Sequence, residues 1–396
     1  MSGASILSVL IPTFNRVGLL ERVLRAYDRQ DLSGGKFEVV VVDDGSSDGT
    51  AGFLREWRPE RYAMAFASQR NGGPARARNS AIRLSSAPLV LFTGDDIVPD
   101  VSFVRRHLEA HARRPERELV VLGLSVWPSD LRLTATMRHI DGAGAEQFSY
   151  QYLRSGEEYD FRHFYTSNIS LKRALLDCEP TYFSTEFQKA AFEDIELAYR
   201  LSLHGMRILY DARPLGAHYH HYDVRSFFRR QVGCGAMARL FYEKRPELRK
   251  WFGTPELEWA RLEMLRDSPA NRARIEAVAG ALSAWEERVL RLAGFFEDAP
   301  DASLLDDLLL AVFRYAYVKG LSEASYPGLP SKRLCARLFL QLVGPACRRF
   351  SEQLQSRRMP IPRADLQALL AIMETETLSP AAVAAGGLGF TTKEAR

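Results

Sequence analysis

Three groups of residues have the types and spacing to do chemistry. In the stretch Pro88–Asp100, PLVLFTGDDIVPD, an apolar run ends at Gly94 and meets two carboxylates, Asp95 and Asp96. A short continuous apolar run reads as a buried parallel strand. Carboxylates at its C-terminal end lie where open α/β sheets bind ligands. Hard oxygens there suit Mg²⁺ or Mn²⁺ bridged to substrate phosphates, although Gly-Asp-Asp is also ordinary turn chemistry. In the second group, FEDIELAYRL, Glu193 and Asp194 open a helix whose Ile195 and Tyr199 share one face. Acidic residues in a first turn gain about 0.3–1 kcal/mol from the helix dipole. A carboxylate placed there can also act as a general base, which speeds proton-coupled transfer typically ~10²–10⁴-fold. The third group is AHYHHYD, residues 217–223. His218 and His220 alternate, so on an extended segment they share a face. Neutral imidazole is a fitting further ligand for Mn²⁺ beside carboxylate oxygens. No cysteine pair is nearby to make a closed zinc site.

The elements that must carry these residues alternate. Ser5–Ile11 reads as a strand and Arg16–Tyr27 as an amphipathic helix capped by Asn15. Phe37–Val42 is a second strand, followed by a helix over Thr50–Trp57. Tyr62–Ala67 is a third strand, and a helix runs on to Leu84, with Pro74 in its first turn. The Pro88–Asp100 stretch holds the fourth strand. Four strand–helix repeats imply a mostly parallel sheet with helices on both faces. Thr13, Asn15, Asp43, Asp44, Arg70, Asn71, Asp95 and Asp96 then gather along one sheet edge. This is a nucleotide-phosphate site in outline, without the GxGxxG fingerprint of a dinucleotide fold. Ser102–Arg113 continues as helix and Glu118–Ser125 as strand. Residues 127–162 lose regular patterning, as a lid or acceptor loop does. Tyr165–Leu171 and Met206–Tyr210 read as strands, and Ser226–Lys244 as a helix.

The chain has 396 residues, 46% of them hydrophobic, and a net charge of +4. Such a mild basic balance suits anionic ligands and argues against nucleic acid as partner. Cys178, Cys234, Cys335 and Cys347 form no CxxC pair and read as reduced thiols. No stretch is long and apolar enough for a membrane span, and the start has no basic leader region, so the expected location is cytoplasmic. From Pro246 onward the pattern is helical: 256–266, 271–296, 303–321 and 332–354. Arg333–Arg349 mixes arginine with apolar residues, which allows peripheral contact at the inner face of a membrane.

The motifs PTFNR (12–16), VVVVDDGSSDGT (39–50), RNGGPARARN (70–79) and GDDI (94–97) resemble, in order and spacing, the nucleotide-binding half of family 2 glycosyltransferases of the GT-A fold. The resemblance implies an α/β GT-A domain over 1–244. Its nucleotide-sugar half covers about 1–125 and its acceptor half about 126–244. An all-helical domain over 245–380 and a flexible tail over 381–396 would follow. It places Pro12, Thr13 and Phe14 along the nucleobase and ribose, with Arg16 of the same motif toward the nucleotide. Asp43 or Asp44 would accept from base or ribose, and Asn71 and Arg76 or Arg78 would reach the nucleotide. Asp95 corresponds to the last Asp of the DxD signature, reached through Gly94, and Thr93 stands where the family usually has the first. The metal would take Asp95 or Asp96, with His220 or His218. FEDIELAYRL resembles the family's ED-x-E-L segment, which implies Asp194 as general base of an inverting transfer and Glu193 as an orienting group. Asn168 would lie beneath the donor sugar, and Arg230 near the donor phosphates. The implied reaction moves a sugar from a nucleotide-diphosphate sugar, UDP foremost, to a glycan or glycoconjugate hydroxyl, with bound Mn²⁺ or Mg²⁺. The rival expectation is a degenerate nucleotide-sugar-binding scaffold acting through its helical domain, motivated by Thr93.

Overall fold

The computed structural model describes residues 5–32, 37–144, 147–248, 255–299, 301, 303–322, 331–357, 359 and 363–373. The expected tail 381–396 lies outside the described residues. The chain packs as two units, Met1–Leu133 with Ile140–His221, and Thr134–His139 with Tyr222–Arg396.

The elements up to residue 218 are β1 (Leu7–Thr13), α1 (Val17–Tyr27), β2 (Phe37–Asp43), α2 (Thr50–Glu56), β3 (Ala63–Ser68), α3 (Pro74–Leu84), β4 (Leu89–Thr93), β5 (Ile97–Pro99), α4 (Phe103–Arg113), β6 (Leu119–Val126), α5 (Ala135–His139), β7 (Glu158–Tyr159), β8 (Asn168–Lys172), α6 (Arg173–Leu176), α7 (Glu193–Ser202) and β9 (Arg207–His218). All but α5 belong to the first unit. The strands form one nine-stranded sheet in the order β3-β2-β1-β4-β8-β6-β9-β5, with β7 added on β9. From β3 to β4 every pairing is parallel, as the strand–helix alternation requires. Beyond β4 the sheet is mixed, because β8 runs antiparallel to both β4 and β6, and β5 antiparallel to β9.

Every residue of β2 is buried, which its unbroken apolar run dictates. Leu20, Val23, Leu24 and Tyr27 are the buried stripe of α1, at the 3.6-residue period. They share one core with Phe103 of α4. Ala77, Ala81 and Ile82 of α3 pack with Leu197 and Leu201 of α7 in the other.

Three local expectations change. Asn15 does not cap α1. It sits at φ 53°, its Oδ1 accepts from the backbone N–H of Ser47 (2.7 Å), and Arg16 occupies the N-cap position. Asp48, arriving from the next loop, accepts from the Val17 N–H at 2.9 Å instead. A carboxylate there satisfies an orphan donor and favours the helix dipole. The strand expected at Met206–Tyr210 covers Arg207–His218 and so continues through Pro214 and Gly216. A register shift between Leu122 and Leu124 of β6 absorbs the irregularity. Asn168 is wholly buried in the core: its amide donates to Leu124 O (3.0 Å) and Pro214 O (2.9 Å), and its Oδ1 pairs with His107 Nε2 at 2.9 Å. It thereby ties the shifted stretch together.

In the second unit, α8 (Val224–Lys244) packs against the helix Ser303–Ser322, although the sequence assigned it to the first domain. A Cβ on Gly235 would lie 1.9 Å from Tyr317 O, and one on Gly320 2.0 Å from Val232 O. Only glycine at both points permits that approach. The stretch 271–296 divides at Ala281 into two helices. The stretch 332–354 is interrupted by a π-helical turn over Phe339–Val343. Pro345 offers no N–H to the carbonyl four residues back, which forces a wider turn there. Leu334, Ala336, Leu338 and Phe339 are buried, and Arg337 is buried against Asp267, so the mixed Arg–apolar stretch is largely interior. Among the described residues no helix is long and apolar enough to cross a membrane.

Candidate active site

The C-terminal ends of β1, β2 and β4 carry the polar groups of the nucleotide half. Asp95 and Asp96 follow β4 directly. Antiparallel pairing sets Ile97 of β5 opposite His218 of β9, and the Tyr219 N–H donates to Asp96 O at 2.8 Å. This register brings His218 and His220 to Asp96 across more than 120 residues of chain. Asp96 Oδ2 lies 3.0 Å from His220 Nδ1 and 3.6 Å from His218 Nε2. The three side chains offer donor atoms within 4.8 Å of one another. One carboxylate and two imidazoles fit Mn²⁺ better than Mg²⁺, with further positions left for phosphate oxygens.

Asp95 is not part of that set. Its Oδ2 accepts from Thr13 Oγ1 (2.8 Å) and its Oδ1 from Arg16 (3.1 Å). Arg16 Nη1 also donates to Asp96 Oδ2 at 2.6 Å, and its Nη2 lies 3.2 Å from His220 Nδ1. Burial and the neighbouring Asp96 push the Asp95 carboxyl up to about 6, against the pull of Arg16 and Thr13. Asp96, although buried, is held well below the usual carboxylate range by His218, His220 and Arg16. Burial lowers the His220 pKa, so a neutral imidazole faces the cluster. Thr93 is fully buried, and its hydroxyl donates to Ser167 O at 3.0 Å. Gly94 stands tight against its neighbour, since a Cβ there would meet Asp96 Oδ1 at 2.5 Å.

The remaining nucleotide-half residues divide by exposure. Phe14 is 46% exposed at the end of β1, beside half-buried Pro12, and Asn71 is exposed. Asp43 and Asp44 are both buried. Asp43 accepts from the Ser46 N–H (2.9 Å). Asp44 accepts from the N–H groups of Gly72 and Gly73 and from Gln69, and so moulds the loop that starts α3. Gly73 has φ +84°, and a Cβ there would sit 2.8 Å from Gln188 O, so glycine is required on both counts.

α3 and α7 meet through charge. Arg78 Nη1 donates to Glu193 Oε1 at 2.7 Å, with both side chains buried. Arg78 thus points into the protein, whereas Arg76 on the same helix is exposed. Asp194 follows Glu193 in the first turn of α7, just after Phe192 at φ 67°. Its Oδ1 accepts from the Ile195 N–H at 2.8 Å. Burial first, and the charge of Glu193 second, push Asp194 up to about 7, with Arg78 opposing. A carboxylate balanced there is matched to proton transfer near neutral pH. Arg230 lies on α8 in the second unit, over the Phe227 ring.

An aromatic cluster that the sequence pattern did not single out lines the histidine side of the site. The Trp127 ring stacks on His218 (5.0 Å, 11°), and Phe148 lies 6.0 Å from His218 and 5.1 Å from Tyr165. Tyr165 in turn feels the charge of Asp194. Aromatic residues concentrated in an otherwise unpatterned loop were the available signal.

A parallel α/β half with a polar edge and a half-buried carboxylate pushed up to about 7 is a candidate active site of the kind that binds anionic, nucleotide-linked substrates. The sequence profile described as Glycosyl transferase family 2 matches residues 8–178. Validoxylamine A glucosyltransferase of Streptomyces hygroscopicus subsp. jinggangensis (strain 5008) is 30% identical over 305 residues, covering 66% of this chain and 68% of that protein. Poly(ribitol-phosphate) beta-N-acetylglucosaminyltransferase TarS of Staphylococcus aureus (strain Mu50) is 34% identical over 90 residues, 22% of this chain and 16% of the relative. Among solved structures, the mannosyltransferase PcManGT from Pyrobaculum calidifontis in complex with GDP-Man and Mn²⁺ aligns with a TM-score of 0.46 at 18% identity, covering 94% of this chain and 88% of that one. S. aureus TarS 1–349 in complex with UDP aligns with a TM-score of 0.45 at 19% identity, covering 80% and 90%. The chain belongs to glycosyltransferase family 2. It is a glycosyltransferase with a GT-A-type sheet and a helical C-terminal region.

Proposed function

We propose that the chain is an inverting transferase that moves a sugar from a nucleotide-diphosphate sugar, UDP-linked in the first instance, to a hydroxyl of a glycan or glycoconjugate such as a bacterial envelope polymer. The observation that carries this reading is Asp194, pushed up to about 7 at the start of α7, in the same unit as the Asp96–His218–His220 cluster. Asp194 takes the proton of the acceptor hydroxyl. The freed oxygen forms a bond to the anomeric carbon as the bond from that carbon to the diphosphate oxygen breaks on the opposite face. The nucleoside diphosphate leaves with the bonding pair.

Asp96, His218 and His220 are the residues that would hold a divalent cation, and such a cation, when bound, supplies positive charge for the departing diphosphate. Phe14 at the end of β1 and Asn71, both exposed and so open to a ligand, are taken as the contacts for the nucleobase and ribose. Glu193, fixed by Arg78, keeps the first turn of α7 in place and raises the basicity of Asp194. Trp127, Phe148 and Tyr165 offer ring faces to an acceptor, and apolar faces of sugars stack on such rings. Asp43 and Asp44 are committed to loop bonds, so they shape the nucleotide pocket more than they read the base. Release of nucleoside diphosphate from a panel of UDP-, GDP- and dTDP-sugars, with and without Mn²⁺, tests the reading. One donor turned over with Mn²⁺ supports it, and no binding of any donor sinks it.

A further inference from the structure

Arg16 stands where a cation in this cluster would stand. Its Nη1 touches Asp96 Oδ2 (2.6 Å) and Asp95 Oδ1 (3.1 Å), and its Nη2 touches His220 Nδ1 (3.2 Å). Asp96 Oδ2 is the same oxygen that faces His220 and His218. His220 Nδ1 is shared between two partners: in one tautomer it donates to Asp96 Oδ2, in the other it accepts from Arg16 Nη2. In either tautomer the guanidinium fork holds its charge against Asp96 Oδ2, and its second nitrogen reaches His220. A divalent ion taking those two atoms would meet the Arg16 charge in contact with its own ligands. The ion and the guanidinium therefore exclude each other.

The two partners differ in freedom to move. The Arg16 side chain keeps 37% of its surface exposed, against 12% for Asp96. Arg16 can swing out by rotamer changes alone, while the carboxylates stay fixed between β4, β5 and β9. Thr93, with its hydroxyl given to Ser167 O, contributes no third carboxylate to outcompete the guanidinium.

We propose that Arg16 is a displaceable counter-ion of the acid pair. It neutralises Asp95 and Asp96 while no divalent ion is bound, and it must leave before one can enter. Cation uptake is then coupled to the arrival of an anion that receives the guanidinium, of the class of the donor's diphosphate. This rests on the reading of Asp96, His218 and His220 as the cation site.

The test is Mn²⁺ binding to the full chain without nucleotide, read by the electron paramagnetic resonance signal of free Mn²⁺. The expected result is that Arg16→Gln binds Mn²⁺ about tenfold tighter than the wild type, a coupling of ordinary size between two sites. Arg16→Lys keeps the charge but loses the fork that bridges three partners, and its affinity should fall in between. Added UDP should tighten Mn²⁺ binding more in the wild type than in Arg16→Gln. Equal or weaker Mn²⁺ binding in both variants, in a protein whose Asp96→Asn form loses Mn²⁺, overturns the counter-ion role and leaves the cation site standing. No Mn²⁺ binding in any form, with or without UDP, overturns both.

Discussion

Glu193→Gln isolates the electrostatics of the proposed base. The amide keeps the shape of the side chain and can still accept from Arg78, but the negative charge beside Asp194 is gone. That charge is the second cause, after burial, of the raised Asp194 pKa, and Arg78 opposes it. Without it, burial acts against an Arg78 that no longer has an ionic partner. Both changes move Asp194 downward. A like charge beside a buried carboxylate is worth about one pKa unit or more, which is about 1.4 kcal/mol of differential stabilisation per unit. The rising limb of kcat against pH, expected near pH 7 in the wild type, should therefore move to about pH 6 or below in the variant. The plateau should fall as well, because a weaker base takes the proton less readily. The assay is donor turnover at saturating donor and acceptor from pH 5 to 9. A limb that stays in place or moves upward would refute the electrostatic account of Asp194.

Two further predictions concern stability. Asp194→Asn should raise the melting temperature at pH 8 and do so much less near pH 4. The folded-state pKa of about 7 stands above the unfolded value of roughly 3.9. The native wild type thus binds the extra proton between those limits and loses stability as pH rises through them, whereas the amide does not. Gly123→Ala would place a Cβ 2.4–2.6 Å from the Asn168 amide group. It should cost roughly 1–3 kcal/mol in urea unfolding, and a neutral effect would show that Asn168 is not held where it is described.

The nucleotide half was legible because β1, β2 and β4 are buried on both faces and leave continuous apolar runs, with turn residues between them, whereas the exposed edge strand β3 reads only weakly. The acidic pair after β4, the Glu193–Asp194 start of α7 and the alternating His218 and His220 were legible for a similar local reason: each is a few residues long. What was hidden depends on partners far away in sequence. Arg16 reached the candidate list through its motif, but nothing local says that its guanidinium lies between Asp95, Asp96 and His220. Arg78 read as a group for the nucleotide and turns inward to Glu193, a partner 115 positions on. Asn168 read as a floor for the donor sugar. It lies in the core, on a polar chain through His107 and Ser170 to His111 and Lys172, with links of 2.8–3.0 Å. Burial holds both histidines neutral, His107 pushed down to about 4 and His111 to about 3. Two histidines at i, i+4 on the inner face of α4 were the sequence trace of that chain. The excursion of Thr134–His139 into the second unit left no trace, because five helical residues in a long loop carry too little periodicity to read.

The most direct test of the account is a comparison of wild type and Asp194→Asn with the donor identified by the panel. Donor binding and turnover, both with Mn²⁺, would be measured on the same samples. The account predicts that the variant binds the nucleotide sugar as tightly as the wild type while transfer falls by roughly 10²–10⁴-fold, the usual worth of a general base. Transfer within a few-fold of wild type would contradict it and move the base to another residue of the site. Binding without turnover in the wild type itself, across acceptor glycans, would replace the enzyme mechanism by a nucleotide-sugar-binding role.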